Sequence, residues 1–118
     1  MKVFVYYNLH KKVFSVKALE GADRGRVIAH RLQVCLTDAT FKVSEAGRQR
    51  VLLERKKNVH AGVVGQWDDR LAVNLGVEVT YNPYRYDSFV TKVGEFPVRR
   101  AGQVLLDNRK IFAQGIDF

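Results

Sequence analysis

Val13-Phe14-Ser15-Val16-Lys17-Ala18-Leu19-Glu20-Gly21-Ala22-Asp23-Arg24-Gly25-Arg26-Val27-Ile28-Ala29-His30 carries a strand–turn–strand pattern. Its first seven residues alternate loosely between apolar and polar, the period of a strand with one buried face. Gly21 and Gly25 then bound five residues that read as a turn, because glycine adopts φ angles that other residues avoid. From Arg26 to His30 the composition returns to β-branched and apolar, a further strand. Strand, turn and strand in eighteen residues make β structure the frame for the rest.

Upstream, Val3 to Leu9 is rich in β-branched and aromatic residues and predicts a strand. The polar run Asn8-Leu9-His10-Lys11-Lys12 would turn it into a hairpin with Val13–Leu19. Downstream, Gln33 to Thr37 reads as a fourth strand. The period then changes. Ser44 is a good N-cap for a helix reaching Lys57, with Glu45 in its first turn and Arg55, Lys56 and Lys57 in its last, as the helix dipole favours. Gly47 weakens that first turn. Ala46, Val51, Leu52 and Leu53 would form one buried stripe.

Val59 to Gly65 is β-like again, Trp67 to Arg70 reads as a loop, and Leu71 to Leu75 shows no period. Gly76 to Tyr81 alternates cleanly until Asn82-Pro83, where proline cannot donate to a ladder. Ser88 to Val93 reads as extended, and Gln103–Leu106 and Ile111–Ala113 flank a turn as a last hairpin. The expectation is a mainly β (α+β) fold: a small curled antiparallel sheet or barrel with one short surface helix around 44–57, in a single domain over 1–118.

Twenty Lys and Arg against twelve Asp and Glu give a net charge of +8. An excess of this size attracts polyanions: nucleic acid, nucleotides or acidic protein surfaces. No apolar run approaches the ~20 residues that span a bilayer. The apolar N-terminal run is too short for a secretory signal, so an intracellular protein is expected. The single cysteine, Cys35, has no internal disulfide partner and reads as a buried thiol.

The densest chemistry lies in Thr80-Tyr81-Asn82-Pro83-Tyr84-Arg85-Tyr86-Asp87-Ser88-Phe89. Tyr81, Tyr84 and Tyr86 offer flat faces on which bases stack, and Arg85 can stack or grip a phosphate. The turn at Pro83 should bring some of these side chains to the surface. Arg48, Arg50, Arg55, Lys56 and Lys57 on the helix would add phosphate contacts. Catalytic signals are absent by comparison. His10, His30 and His60 lie far apart with no zinc-ligand spacing, and neither a Walker A sequence nor GxGxxG occurs. The reading is a non-enzymatic binder with no metal and no cofactor; His60 with an acidic residue is the one catalytic alternative.

Two resemblances accompany these readings. Lys17-Ala18-Leu19-Glu20-Gly21-Ala22-Asp23-Arg24-Gly25-Arg26-Val27-Ile28 resembles a KOW motif, a glycine-bounded basic turn between two barrel strands. That resemblance implies RNA or ribosomal contacts for Arg24 and Arg26. Lys2–Lys12, Phe41–Arg50 and Tyr81–Phe89 are similar to a group of small basic proteins of tailed bacteriophages and prophages, along most of the chain. The group carries no assigned activity, so it implies a setting, the cytoplasm of a bacterial host, and no mechanism. In that setting the expected partner is nucleic acid or a nucleotide, with host takeover or anti-defence as the purpose. A host protein with an acidic surface is the alternative partner.

Overall fold

The computed structural model describes residues 1–55, 59–67, 77–81, 83–84, 87–91 and 100–107. Among these residues, eight strands and one helix follow in the order β1 (Lys2–Asn8), β2 (Val13–Ala18), β3 (Val27–Arg31), β4 (Gln33–Val43), α1 (Glu45–Glu54), β5 (Ala61–Trp67), β6 (Val77–Thr80), β7 (Val90–Thr91) and β8 (Arg100–Asp107). They form one sheet ordered β3-β2-β1-β5-β4-β8-β6-β7. Every pairing from β3 to β8 is antiparallel, whereas β6 runs parallel to β8, with Val77 opposite Val104.

The connection between β3 and β4 forces the sheet to curl. Leu32 alone joins them, yet β2, β1 and β5 lie between them in the hydrogen-bonded order. A flat sheet would separate β3 from β4 by four strand spacings, about 19 Å. Two trans peptides reach only about 7 Å. The five strands must therefore bend until the end of β3 meets the start of β4. The closure stops short of a barrel: among the described residues the strand order ends at β3 and β7, and no β3–β4 ladder forms. Of the two forms expected from the sequence, the curled sheet is the one adopted.

The concave side holds the core. Val3, Val5 and Tyr7 of β1 face Ala18, Val16 and Phe14 of β2, and Val63 of β5 continues the row. Val34, Leu36, Val104 and Leu106 extend it through β4 and β8. β4 runs well past the expected Thr37, because a bulge between Thr37 and Thr40 breaks its alternation. Asp38 sits there at φ 52, and the inward positions pass from Val34 and Leu36 to Ala39, Phe41 and Val43. The added residue changes the parity of the strand, so a strict two-residue period ends where the strand does not. Cys35 is buried, as expected.

The helix is shorter than its sequence suggests. Ser44 caps it, its hydroxyl accepting from the Gly47 amide at 3.2 Å. Arg55 takes a left-handed conformation and ends it three residues before the expected Lys57, so no cation sits in the last turn. The buried stripe reduces to Val51 with half-buried Leu52; Ala46 is exposed and Leu53 is 82% exposed. Trp67, expected in a loop, closes β5. The loop residues Asp68–Arg70, the segment 71–75, the end of the Ser88–Val93 stretch and the Ile111–Ala113 hairpin arm lie outside the described residues.

Candidate functional site

The proline turn after β6 and the start of α1 meet at one end of the molecule. Tyr81 follows β6 and is 1% exposed, its hydroxyl 2.5 Å from Nε2 of His60. Its ring stacks on Phe89 at 5.3 Å, and Phe89 stacks on Phe41 at 5.3 Å. Burial pushes the Tyr81 phenol well above its ordinary value; the Arg48 charge opposes that shift, and Glu45 and Asp87 reinforce it. Tyr81 thus belongs to the core, which removes its ring from the surface set expected from the sequence. The cause is the strand parity: Tyr81 continues the inward row of Val79.

Beyond it, Pro83 is buried and its carbonyl accepts from Nε of Arg48 at 3.1 Å. Arg48 also donates to Glu45 at 3.1 Å, where a hydrogen bond from Gln49 and the Arg48 charge hold the carboxyl below its usual range. Arg48 therefore ties α1 to the turn. The helix sits close enough that a Cβ on Gly47 would fall 2.6 Å from Cβ of His60. His60 is accordingly packed between Tyr81 and α1. Tyr84 (36% exposed), Arg50 and Arg55 reach the surface. Arg85, Tyr86, Lys56 and Lys57 lie outside the described residues.

The basic loop lies toward the other end of β1. It joins β2 to β3, with Gly21 at φ 79 and Gly25 at φ 87, and the Gly25 amide donates to the Ala18 carbonyl at 2.8 Å. Arg24 and Arg26 are exposed. The loop is fastened to β1 twice: the Leu19 amide donates to the Lys2 carbonyl, and the Lys2 amide to Glu20. Arg24 and Arg26 are thus placed apart from the cations of α1.

Between these ends runs a surface that sequence reading passed over. Alternation along β1 turns Val3, Val5 and Tyr7 inward, which leaves Lys2, Phe4 and Tyr6 on the convex face. Phe4 and Tyr6 are half-buried and stack at 6.0 Å with 28° between their planes. The Phe4 ring fits over Gly62, where a Cβ would meet the ring and lie 2.6 Å from the Val5 carbonyl oxygen. Lys17 stands opposite Phe4 on β2, and Lys42 stands opposite Gly62 on β4. Lysines thus stand at register positions on either side of Phe4, whereas Ser15 is the β2 partner of Tyr6. The available signal was the spacing of Lys2, Phe4 and Tyr6 at every second position, overshadowed by the denser tyrosine run downstream.

Among the described residues, no three of His, Cys, Asp and Glu come together in a group that could hold a metal ion, and no helix is long and apolar enough to cross a membrane. No solved structure matches the chain. Over 120 residues it is 41% identical to the Gene 82 protein of Mycobacterium phage L5, covering 96% of this chain and 95% of that protein. The family model described as Mycobacterium phage L5 gene 82 protein matches residues 1–114, so the bacteriophage resemblance holds along most of the sequence and the chain belongs to that phage protein family.

Proposed function

We propose that this protein is a non-enzymatic, phage-encoded binder of single-stranded nucleic acid that acts inside the bacterial host cell. The observation that carries the reading is the Phe4–Tyr6 stack on the convex face, with Lys17 and Lys42 on either side of Phe4. An aromatic face accepts any base, and base stacking contributes about 1–3 kcal/mol per base. The lysines stand where a backbone crossing the strands would carry its phosphates, and each neutralised phosphate makes binding more salt-sensitive. Exposed Arg24 and Arg26 extend the positive surface beyond Lys2. A protein with net charge +8 gathers polyanions over longer range.

Fluorescence anisotropy of a labelled oligothymidine tests the reading. Saturable binding that weakens with salt is expected, together with at least a roughly tenfold loss in the Lys17→Gln/Lys42→Gln variant and a salt slope shallower by about two charges. No binding at low salt, or binding indifferent to both substitutions, would overturn it.

A host protein with an acidic surface is the second reading. It draws on Leu53, 82% exposed on α1, with exposed Arg50 one turn before it. A partner held through this helix would resist nuclease and be lost in Leu53→Asp. Release of the partner by nuclease would count against this reading.

A further inference from the structure

A half-open recess of about 390 Å³ lies on the convex face. It lies where the β4 bulge interrupts the ladder to β5, between the Thr37–Gln66 and Thr40–Val64 pairs. Lys2 and Lys42 line it with Asp38, Thr40, Val64 and Gln66. Val64 stands opposite Phe4, and Lys42 opposite Gly62, on which the Phe4 ring rests. The recess thus shares Lys2 and Lys42 with the face proposed above.

We infer that this recess seats a single nucleotide unit, phosphate toward Lys2 and Lys42 and base or sugar toward Asp38, Thr40 and Gln66. The inference rests on the nucleic-acid reading and adds to it a defined pocket. Its volume lies within the range of small-molecule sites, roughly 300–1,000 Å³. The donor set argues for a nucleotide over a bare anion. Two ammonium groups suit a phosphate, but Asp38 repels one and requires a donor, such as a sugar hydroxyl or an exocyclic amine. Thr40 and Gln66 donate and accept, as a base edge or a ribose demands. A nucleotide offers both halves; inorganic phosphate offers one. The bulge that opens the space also sets Asp38 at φ 52, so pocket and acceptor arise from the same backbone feature.

Titration of the ¹⁵N-labelled protein with adenosine monophosphate at low salt, followed by amide shifts, tests the inference. Saturable shifts at Thr40, Val64, Gly65 and Gln66 are expected, with weaker binding of inorganic phosphate. Lys2→Gln/Lys42→Gln should weaken the nucleotide by at least roughly tenfold. Asp38→Asn, which tolerates the same backbone, should narrow the preference over phosphate. No saturable shift at these amides, or equal binding of phosphate and nucleotide, would overturn the inference. Oligothymidine anisotropy separates the two claims. If the oligonucleotide binds through Lys17 and Lys42 while the nucleotide leaves these amides unmoved, the pocket fails and the binding face stands. If the nucleotide fills the pocket and no oligonucleotide binds, the pocket stands and the polymer reading fails.

Discussion

At the scale of single residues, Gly47 and Tyr81 show local preference yielding to packing. Alanine is the better helix former by about 1 kcal/mol, so Gly47→Ala would ordinarily stabilise α1. Here the new methyl would fall 2.6 Å from Cβ of His60, an atom fixed to the backbone. Forced overpacking costs roughly 1–3 kcal/mol. The expected result in thermal denaturation is a lower Tm; a raised one would mean that α1 yields freely. Tyr81 makes the second case. Tyr81→Phe removes its hydrogen bond to His60 and should cost about 0.5–1.5 kcal/mol at neutral pH. The same phenol governs alkaline behaviour. Its folded pKa is raised above the unfolded value, chiefly by burial, so its stabilisation is complete below about pH 10 and is lost as pH rises toward the folded value. Tyr7 is shifted in the same direction by its own burial. Stability should therefore fall above pH 10, and Tyr81→Phe should flatten that fall without abolishing it, which chemical denaturation across pH would show.

At the scale of elements, legibility depended on whether a signal was local. The glycine-bounded turn between β2 and β3 was legible because positive φ at Gly21 and Gly25 is a property of the residues themselves. Gly25→Ala, with open space around its Cβ, should cost about 1 kcal/mol through backbone conformation alone, read as a lower urea midpoint. The full length of β4 was illegible, because the bulge at Asp38 inverts the inward parity and the sequence has no mark for a residue left unpaired. The end of α1 was illegible for a related reason. The run to Lys57 is made of good helix formers, and the composition carries no mark for the left-handed turn at Arg55. Gly62 belongs with β1 as much as with its own strand. Gly62→Val would displace the Phe4 ring and press on the Val5 carbonyl, so it should destabilise the sheet and disturb the convex face together. Loss of stability with unchanged oligonucleotide affinity in the folded fraction would separate the two.

At the scale of the molecule, the curl follows from topology: a one-residue link between β3 and β4 across three intervening strands leaves the sheet no flat solution. The curl divides the side chains of β1 into an inner apolar row and an outer row of Lys2, Phe4 and Tyr6. The composition pointed to aromatic rings among cations, and β1 presents Phe4 and Tyr6 with lysines at neighbouring register positions. This arrangement was not legible along the chain, because Tyr81 is spent in the core and the lysines opposite Phe4 and Gly62 come from other strands. If the binder works as proposed, the convex face of β1 carries the ligand. Photo-crosslinking to a bromodeoxyuridine-substituted single strand, with adducts located by peptide mass spectrometry, tests it most directly. Adducts at Phe4 and Tyr6 are the predicted result; adducts confined to Tyr84 and α1, or none at low salt, would contradict it.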